Sequence, residues 1–141
     1  MAMHAMGLLA LQPDEPRSSK AIAACFQISD AHLSKIMQRL VKVGLLRSVR
    51  GPKGGFTLAK APDQITLMDV FTAIEGPVEA ARCPFSLPRC DGKSCVLGDV
   101  IYKANRMLVE HLRSTDLKKI SKVFLDGRLE IPFLTPAPAR S

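Results

Sequence analysis

Three features of the sequence predict a mainly α fold, a winged helix-turn-helix with a two-stranded wing and a long C-terminal dimerisation helix. Residues 18–58 read in order as a short helix, a turn, a longer helix and a charged two-strand hairpin. The excess of Lys and Arg is concentrated in that same stretch. Further on, residues 96–112 carry an apolar stripe that is wide for a peripheral helix. With 141 residues, 47% of them hydrophobic, the chain can bury one core with a small appended element but not two large domains.

Residues 1–11 are expected to be helical, with Met3, Met6, Leu9 and Ala10 sharing an apolar face, and to stop at Pro13. A helix that opens at residue 1 lacks a cap and a lead-in, so native residues are expected to precede Met1. His4 lies on this helix, where a histidine is ordinarily a surface or packed residue and a ligand role is the alternative. Residues 12–17 form a polar, proline-bracketed connection.

Ser18 or Ser19 can cap a short helix that buries Ile22, Ala23 and Phe26. Cys25 lies inside it with no other Cys or His at ligand spacing, which reads as a small core residue. After a turn at Gln27 and Ile28, Ser29 or Asp30 can cap a second helix. There Leu33, Ile36, Met37, Leu40 and Val41 recur at three- and four-residue spacing, and Gly44 ends it. Residues 45–49 alternate as a strand, residues 50–55 are a Gly/Pro-rich loop with Arg50 and Lys53, and residues 56–58 return. In such a head the N-terminal part of the second helix enters the major groove, while the wing reaches the backbone or minor groove.

Charge separates this reading from a merely helical domain. Between Arg17 and Lys60 there are nine Lys or Arg and one acid, Asp30, a local excess of +8 in a chain whose net charge is +7. Displacing the counterions of duplex DNA requires that concentration. With no Trp, one Tyr and six Phe, little aromatic surface is left for stacking on single strands, so duplex is the expected partner. No nucleophile-base pair, phosphate-cradling loop or paired carboxylate suggests catalysis.

Pro62 marks the exit from the wing, and Thr66 can cap a helix with Leu67, Val70, Phe71 and Ile74 inward, ending at Gly76-Pro77. From there the periodicity disappears, and Cys83, Cys90 and Cys95 appear in a C-x6-C-x4-C pattern. Two prolines and a glycine let the loop fold back, and Arg82, Arg89 and Lys93 would lower the thiol pKa values. Structural zinc, an iron-sulfur cluster and a thiol switch all suit three cysteines in about a dozen residues, although the spacing lacks the C-x2-C knuckles of zinc ribbons. The loop gives three ligands where a cluster usually wants four. Asp99, His4 of a partner chain, a residue upstream of it or a small exchangeable ligand would complete the set.

Residues 96–112 should form the longest helix, with Val96, Leu97, Val100, Ile101, Ala104, Met107, Leu108, His111 and Leu112 on one stripe. This is read as the surface that pairs two copies and sets two heads about one DNA turn apart on a palindrome, the alternative being a helix folded onto its own core. Ser114-Thr115 can cap a last short helix carrying Leu117, Ile120 and Val123, before an irregular, proline-rich tail. The expected division is a head at 1–62, a packing helix at 63–77, a cysteine loop at 78–95, a dimerisation helix with a short terminal helix at 96–125, and a tail at 126–141. No apolar run spans a membrane and no export signal opens the chain, so a cytoplasmic location is expected.

The head, the Ser-Val-Arg-Gly-Pro-Lys-Gly-Gly-Phe wing at 48–56, the Ile-Thr-Leu-Met-Asp-Val run at 65–70 and the three-cysteine loop before a long helix together resemble the Rrf2 family of bacterial transcription regulators. The resemblance implies a dimeric winged helix-turn-helix protein. It also implies a [2Fe-2S] or [4Fe-4S] cluster on Cys83, Cys90 and Cys95 that senses iron-sulfur status, iron, nitric oxide or redox state. Ala31, His32, Ser34 and Lys35 match the base-facing part of the recognition helix, and Arg50 and Lys53 match the wing. His32, Ser34 and Lys35 are expected at base edges or nearby backbone, with Arg39, Arg50 and Lys53 mainly on phosphates or in the minor groove. Where iron-sulfur-biogenesis regulators carry a histidine three residues after the last cysteine, this chain has Gly98. In other members the fourth ligand comes from the partner's N-terminal helix, where His4 is one matching position and a carboxylate position would fall before Met1. A clusterless thiol switch or zinc site on the same DNA-binding protein is the second reading, and a small redox protein binding an acidic partner is the third.

Overall fold

The computed structural model describes residues 1–78, 97 and 99–125. Within them the order is α1 (Ala2–Leu9), α2 (Ser19–Phe26), α3 (Asp30–Lys42), β1 (Leu46–Val49), β2 (Gly55–Leu58), a 3-10 turn (Pro62–Gln64), α4 (Leu67–Glu75), α5 (Val100–Ser114) and α6 (Leu117–Leu125). The three loop cysteines and the tail at 126–141 lie outside the described residues.

α1 is the hub. Ala5, Met6, Leu8 and Leu9 are at most 1% exposed, so the helix is enclosed on more sides than the expected stripe, and Met3 is only half-buried. It packs on α3, α4 and α6. A helix that is apolar nearly all round needs partners nearly all round, and this one has them. The helix runs to Leu9 rather than residue 11, and turns lead on to Pro13.

The helix-turn-helix follows from its caps. Ser18 Oγ accepts from the Ala21 N–H at 3.1 Å and starts α2, and Ser29 accepts from the His32 N–H to start α3. Between them Gln27 takes the left-handed conformation (φ 53°), which turns the chain sharply enough for α2 to pack on α3. Ile22, Leu33, Met37 and Leu40 are buried where the two helices meet the core. α3 ends as Gly44 adopts φ +76°, with the Gly44 N–H on the Val41 carbonyl and the Leu45 N–H on the Leu40 carbonyl.

β1 and β2 pair antiparallel, Leu46 opposite Leu58 and Val49 opposite Gly55. The hairpin is pinned to the head by a bridge in which Arg17 and Phe56 exchange both backbone hydrogen bonds, at 2.9 and 3.1 Å. A Cβ at Gly55 would lie 2.4 Å from the Arg17 backbone, so only glycine permits this approach.

α4 carries a full capping box: Thr66 Oγ1 accepts from the Asp69 N–H at 3.1 Å, and Asp69 Oδ2 accepts from the Thr66 N–H at 2.8 Å. Leu67 and Val70 are buried, Phe71 and Ile74 half-buried, on the expected face. Two expectations for the C-terminal helices need correction. α5 begins at Val100 with Asp99 as its N-cap, and Leu97 lies in a turn ahead of it. Glycine at 98 is a poor helix former, and an Asp just after it suits a helix start. In α6 the cap is Asp116, whose Oδ1 accepts from the Lys119 N–H at 2.8 Å, rather than Ser114 or Thr115. The inward residues are Leu117, Ser121 and Phe124, with Ile120 half-buried, while Val123 is 57% exposed. The cause is a bridge between Thr66 and Asp116, with Leu67 N–H on Thr115 O and Leu117 N–H on Ile65 O, which fixes where α6 starts and hence its phase. Among the described residues no helix is long and apolar enough to cross a membrane.

Candidate nucleic-acid interface

α3 turns one face inward through Leu33, Met37 and Leu40 and the opposite face outward. At about 100° per residue the outward stripe is Ala31, Lys35, Gln38 and Lys42, all exposed. Ser34 is half-buried on one shoulder of that stripe. On the other shoulder His32 and Arg39, both exposed, join Ile36 in lining a groove of ≈ 520 Å³ against α1 and against Phe71 and Ile74 of α4. Sequence reasoning passed over Gln38 and Lys42. The spacing 31, 35, 38, 42 becomes legible once Leu33, Met37 and Leu40 are assigned to the core.

The cations of the head divide by their partners. Arg17 bonds Gln12 and forms a 2.6 Å ion pair with Glu15, and the Arg47 guanidinium donates to the Ala59 carbonyl at 3.1 Å. Lys20, Lys35, Arg39, Lys42, Arg50, Lys53 and Lys60 are all exposed. Arg50 and Lys53 stand in the turn of the wing, as the sequence suggested. Asp30, the one acid of the stretch, is held by the Ser19 hydroxyl at 2.5 Å, a clasp between the first turns of α2 and α3.

Of the cluster candidates, only those outside the cysteine loop are described. His4 is exposed on α1 and meets Phe26 edge-on at 5.8 Å, and Phe26 in turn meets Phe124 at 6.3 Å. Asp99 is exposed and pairs with Lys103 at 2.8 Å, and the hydrogen bond from Lys103 holds its carboxyl below the usual range. Cys25 is half-buried, its Sγ donating to the Ala21 carbonyl at 3.3 Å, and burial pushes its thiol pKa up. It is therefore a packing residue, as expected. Among the described residues no three His, Cys, Asp or Glu gather into a metal site.

α5 carries little of the core. Leu112 is its one buried residue, whereas Val100, Met107 and Leu108 are 60%, 72% and 47% exposed. With Leu97, Ala104 and His111, also exposed, they follow a three- and four-residue spacing along one side. The helix packs on α4.

Over residues 1–122 the chain matches the Rrf2 family, described as an iron-dependent transcriptional regulator. The chain belongs to this family. The Rrf2 relatives include the HTH-type transcriptional regulators NsrR of Geobacillus kaustophilus, 40% identical over 91 residues, and of Halalkalibacterium halodurans, 41% identical over 76. These matches cover 64% and 53% of this chain and 59% and 52% of the relatives, so the chain aligns with little more than half the length of either. Among solved Rrf2-like structures, T. potens IscR has a TM-score of 0.69 at 28% identity, covering 94% of this chain and 89% of its own. CymR, the global cysteine regulator of B. subtilis, has a TM-score of 0.68 at 26% identity, with coverages of 86% and 89%. The Rrf2 assignment makes this a winged-helix transcriptional regulator that binds DNA.

Proposed function

We propose that this chain is a dimeric, cytoplasmic regulator that reads duplex DNA with α3 and the wing. Its DNA binding would depend on an iron-sulfur cluster, [2Fe-2S] or [4Fe-4S], held by Cys83, Cys90 and Cys95. The observation that carries the DNA reading is the exposed α3 stripe flanked by the wing cations, with the core on the opposite face. The second copy is invoked for α5, whose apolar side no described residue covers. Two heads related by a two-fold axis ask for a palindrome with half-sites about one helical turn apart. The division proposed from sequence is kept: head 1–62, packing helix 63–77, cysteine loop 78–95, dimerisation arm 96–125 and tail 126–141.

The donor set suits a cluster. Three thiols are soft ligands for iron, and Arg82, Arg89 and Lys93 among them favour thiolates. When bound, the cluster supplies iron that reacts with oxidants and nitric oxide. Around it the chain's own part is to fix the loop ends, through α4 on one side and α5 on the other, so that order in the loop bears on the packing of α5 against α4. The fourth ligand is assigned to His4 of the second copy, which is exposed in each chain, or to Asp99, which would have to leave Lys103.

The test is an absorption spectrum with iron and sulfide analysis of the chain purified without oxygen, beside Cys90→Ala, together with duplex binding at several salt concentrations. Bound iron and sulfide lost in the variant, with steeply salt-dependent binding, is the expected result. Zinc or free thiols with DNA binding intact would replace the cluster by a zinc site or thiol switch on the same regulator. Because the family and the named relatives are transcriptional regulators, the reading as a small redox protein is not carried forward.

A further inference from the structure

We infer that Gln38 is a base-reading residue of α3 and that it selects an adenine in each operator half-site, next to a guanine taken by Lys35. The inference rests on the reading above that α3 lies in the major groove. Gln38 is exposed on the outward stripe between Lys35 and Lys42, with Arg39 beside it. A neutral amide at the centre of a cationic surface adds nothing to phosphate attraction. It does carry a donor and an acceptor side by side, the pattern that pairs with adenine N6 and N7, as a lysine ammonium pairs with guanine O6 and N7.

The neighbouring positions favour close approach. Ala31 begins the stripe with only a methyl group, so the first turn of α3 meets the groove floor without a long side chain in the way. Lys35 follows one turn later, and Gln38 about 4.5 Å beyond it along the axis, against a base-pair rise of about 3.4 Å. The two side chains therefore meet neighbouring or near-neighbouring base pairs. His32, the other polar side chain of the first turn, sits on the shoulder that faces α1 and α4 and lines their groove. Gln38 therefore stands nearer the centre of the outward stripe than His32, to which sequence alone gave a reading role.

The experiment is selection from a randomised duplex library by the full chain, purified without oxygen, with Gln38→Ala, Gln38→Arg, Lys35→Ala and His32→Ala alongside. The wild type should select an adenine in each half-site, and Gln38→Ala should lower the preference for it roughly 5- to 150-fold while binding to unrelated sequences stays the same. Gln38→Arg should switch that position to guanine, a gain that a misfolded variant cannot mimic. His32→Ala should leave the profile unchanged. If the Gln38 variants leave every preference intact while Lys35→Ala relaxes a guanine, Gln38 is a solvated surface residue and this assignment is overturned with the α3 reading intact. If the wild type selects no sequence, the α3 reading falls as well.

Discussion

Asp30 sets a carboxylate at the N-terminus of α3, the helix proposed to meet DNA, where it would repel phosphate, and Ser19 holds it in place. Asp30→Asn keeps an oxygen for the Ser19 hydroxyl and removes the charge. Affinity for unrelated duplexes at low salt should therefore rise, as titration with a labelled duplex would show; unchanged affinity would mean that Asp30 lies away from the phosphates. Cys25 offers a pH test. Burial raises its folded pKa, so an unfolded chain ionises the thiol first. Its contribution to stability is complete below the unfolded thiol range, about 8.5, and is lost as pH rises through the folded value. In a chain with the loop cysteines changed to Ser, Cys25 should be alkylated more slowly folded than in urea at mildly alkaline pH. Residues with local roles were the most legible: Ser18, Ser29 and Thr66 cap because an oxygen three residues ahead of a helical N–H is a sequence-local fact. Asp116 was missed because its place depends on a bridge to Thr66, fifty positions away in the chain.

The element order was legible throughout the described residues, since apolar spacing and punctuation by Gly and Pro are strong in this chain. Boundaries and phases were less so. The stripe assigned to residues 96–112 is divided along α5: Leu112, one turn beyond Leu108 on the same side, meets the core, while Val100, Met107 and Leu108 face solvent. Periodicity alone cannot divide apolar positions between a core and a partner. Met107→Glu puts a charge on the outer side only, so sedimentation should show monomers whose helical signal and thermal transition resemble those of the wild-type head; an intact dimer would place the interface elsewhere. Gly7 on α1 tests the packing against α6. A Cβ there would come within 2.6 Å of Ile120 and 2.7 Å of Phe124, so α1 and α6 cross at the closest distance a glycine allows. Gly7→Leu should destabilise the chain by about 1–3 kcal/mol in urea unfolding, because a side chain cannot enter without pushing α6 away.

Across the whole molecule, charge and packing are segregated. The positive excess lies between Arg17 and Lys60 and the rest of the chain is close to neutral, so the salt dependence of DNA binding should be set by the head alone. Lys53→Ala should lower the slope of log affinity against log salt by roughly one and leave sequence preference as it was. A changed preference with an unchanged slope would make the wing a reader of sequence. At the candidate site the wing cations and the inward spacing of α3 were in the sequence pattern, whereas the outward position of Gln38 emerges only once Leu33, Met37 and Leu40 are placed in the core.

The contact between α1 and α6 joins the beginning of the described chain to its end. A ribosome adding about 5–20 residues per second leaves α1 outside the exit tunnel for roughly 5–20 s before α6 exists to cover it. Through that interval a helix whose Met6, Leu8 and Leu9 end fully enclosed has part of its apolar surface in water. Nascent chains stalled short of Leu117 should therefore recruit chaperones that the released protein no longer holds.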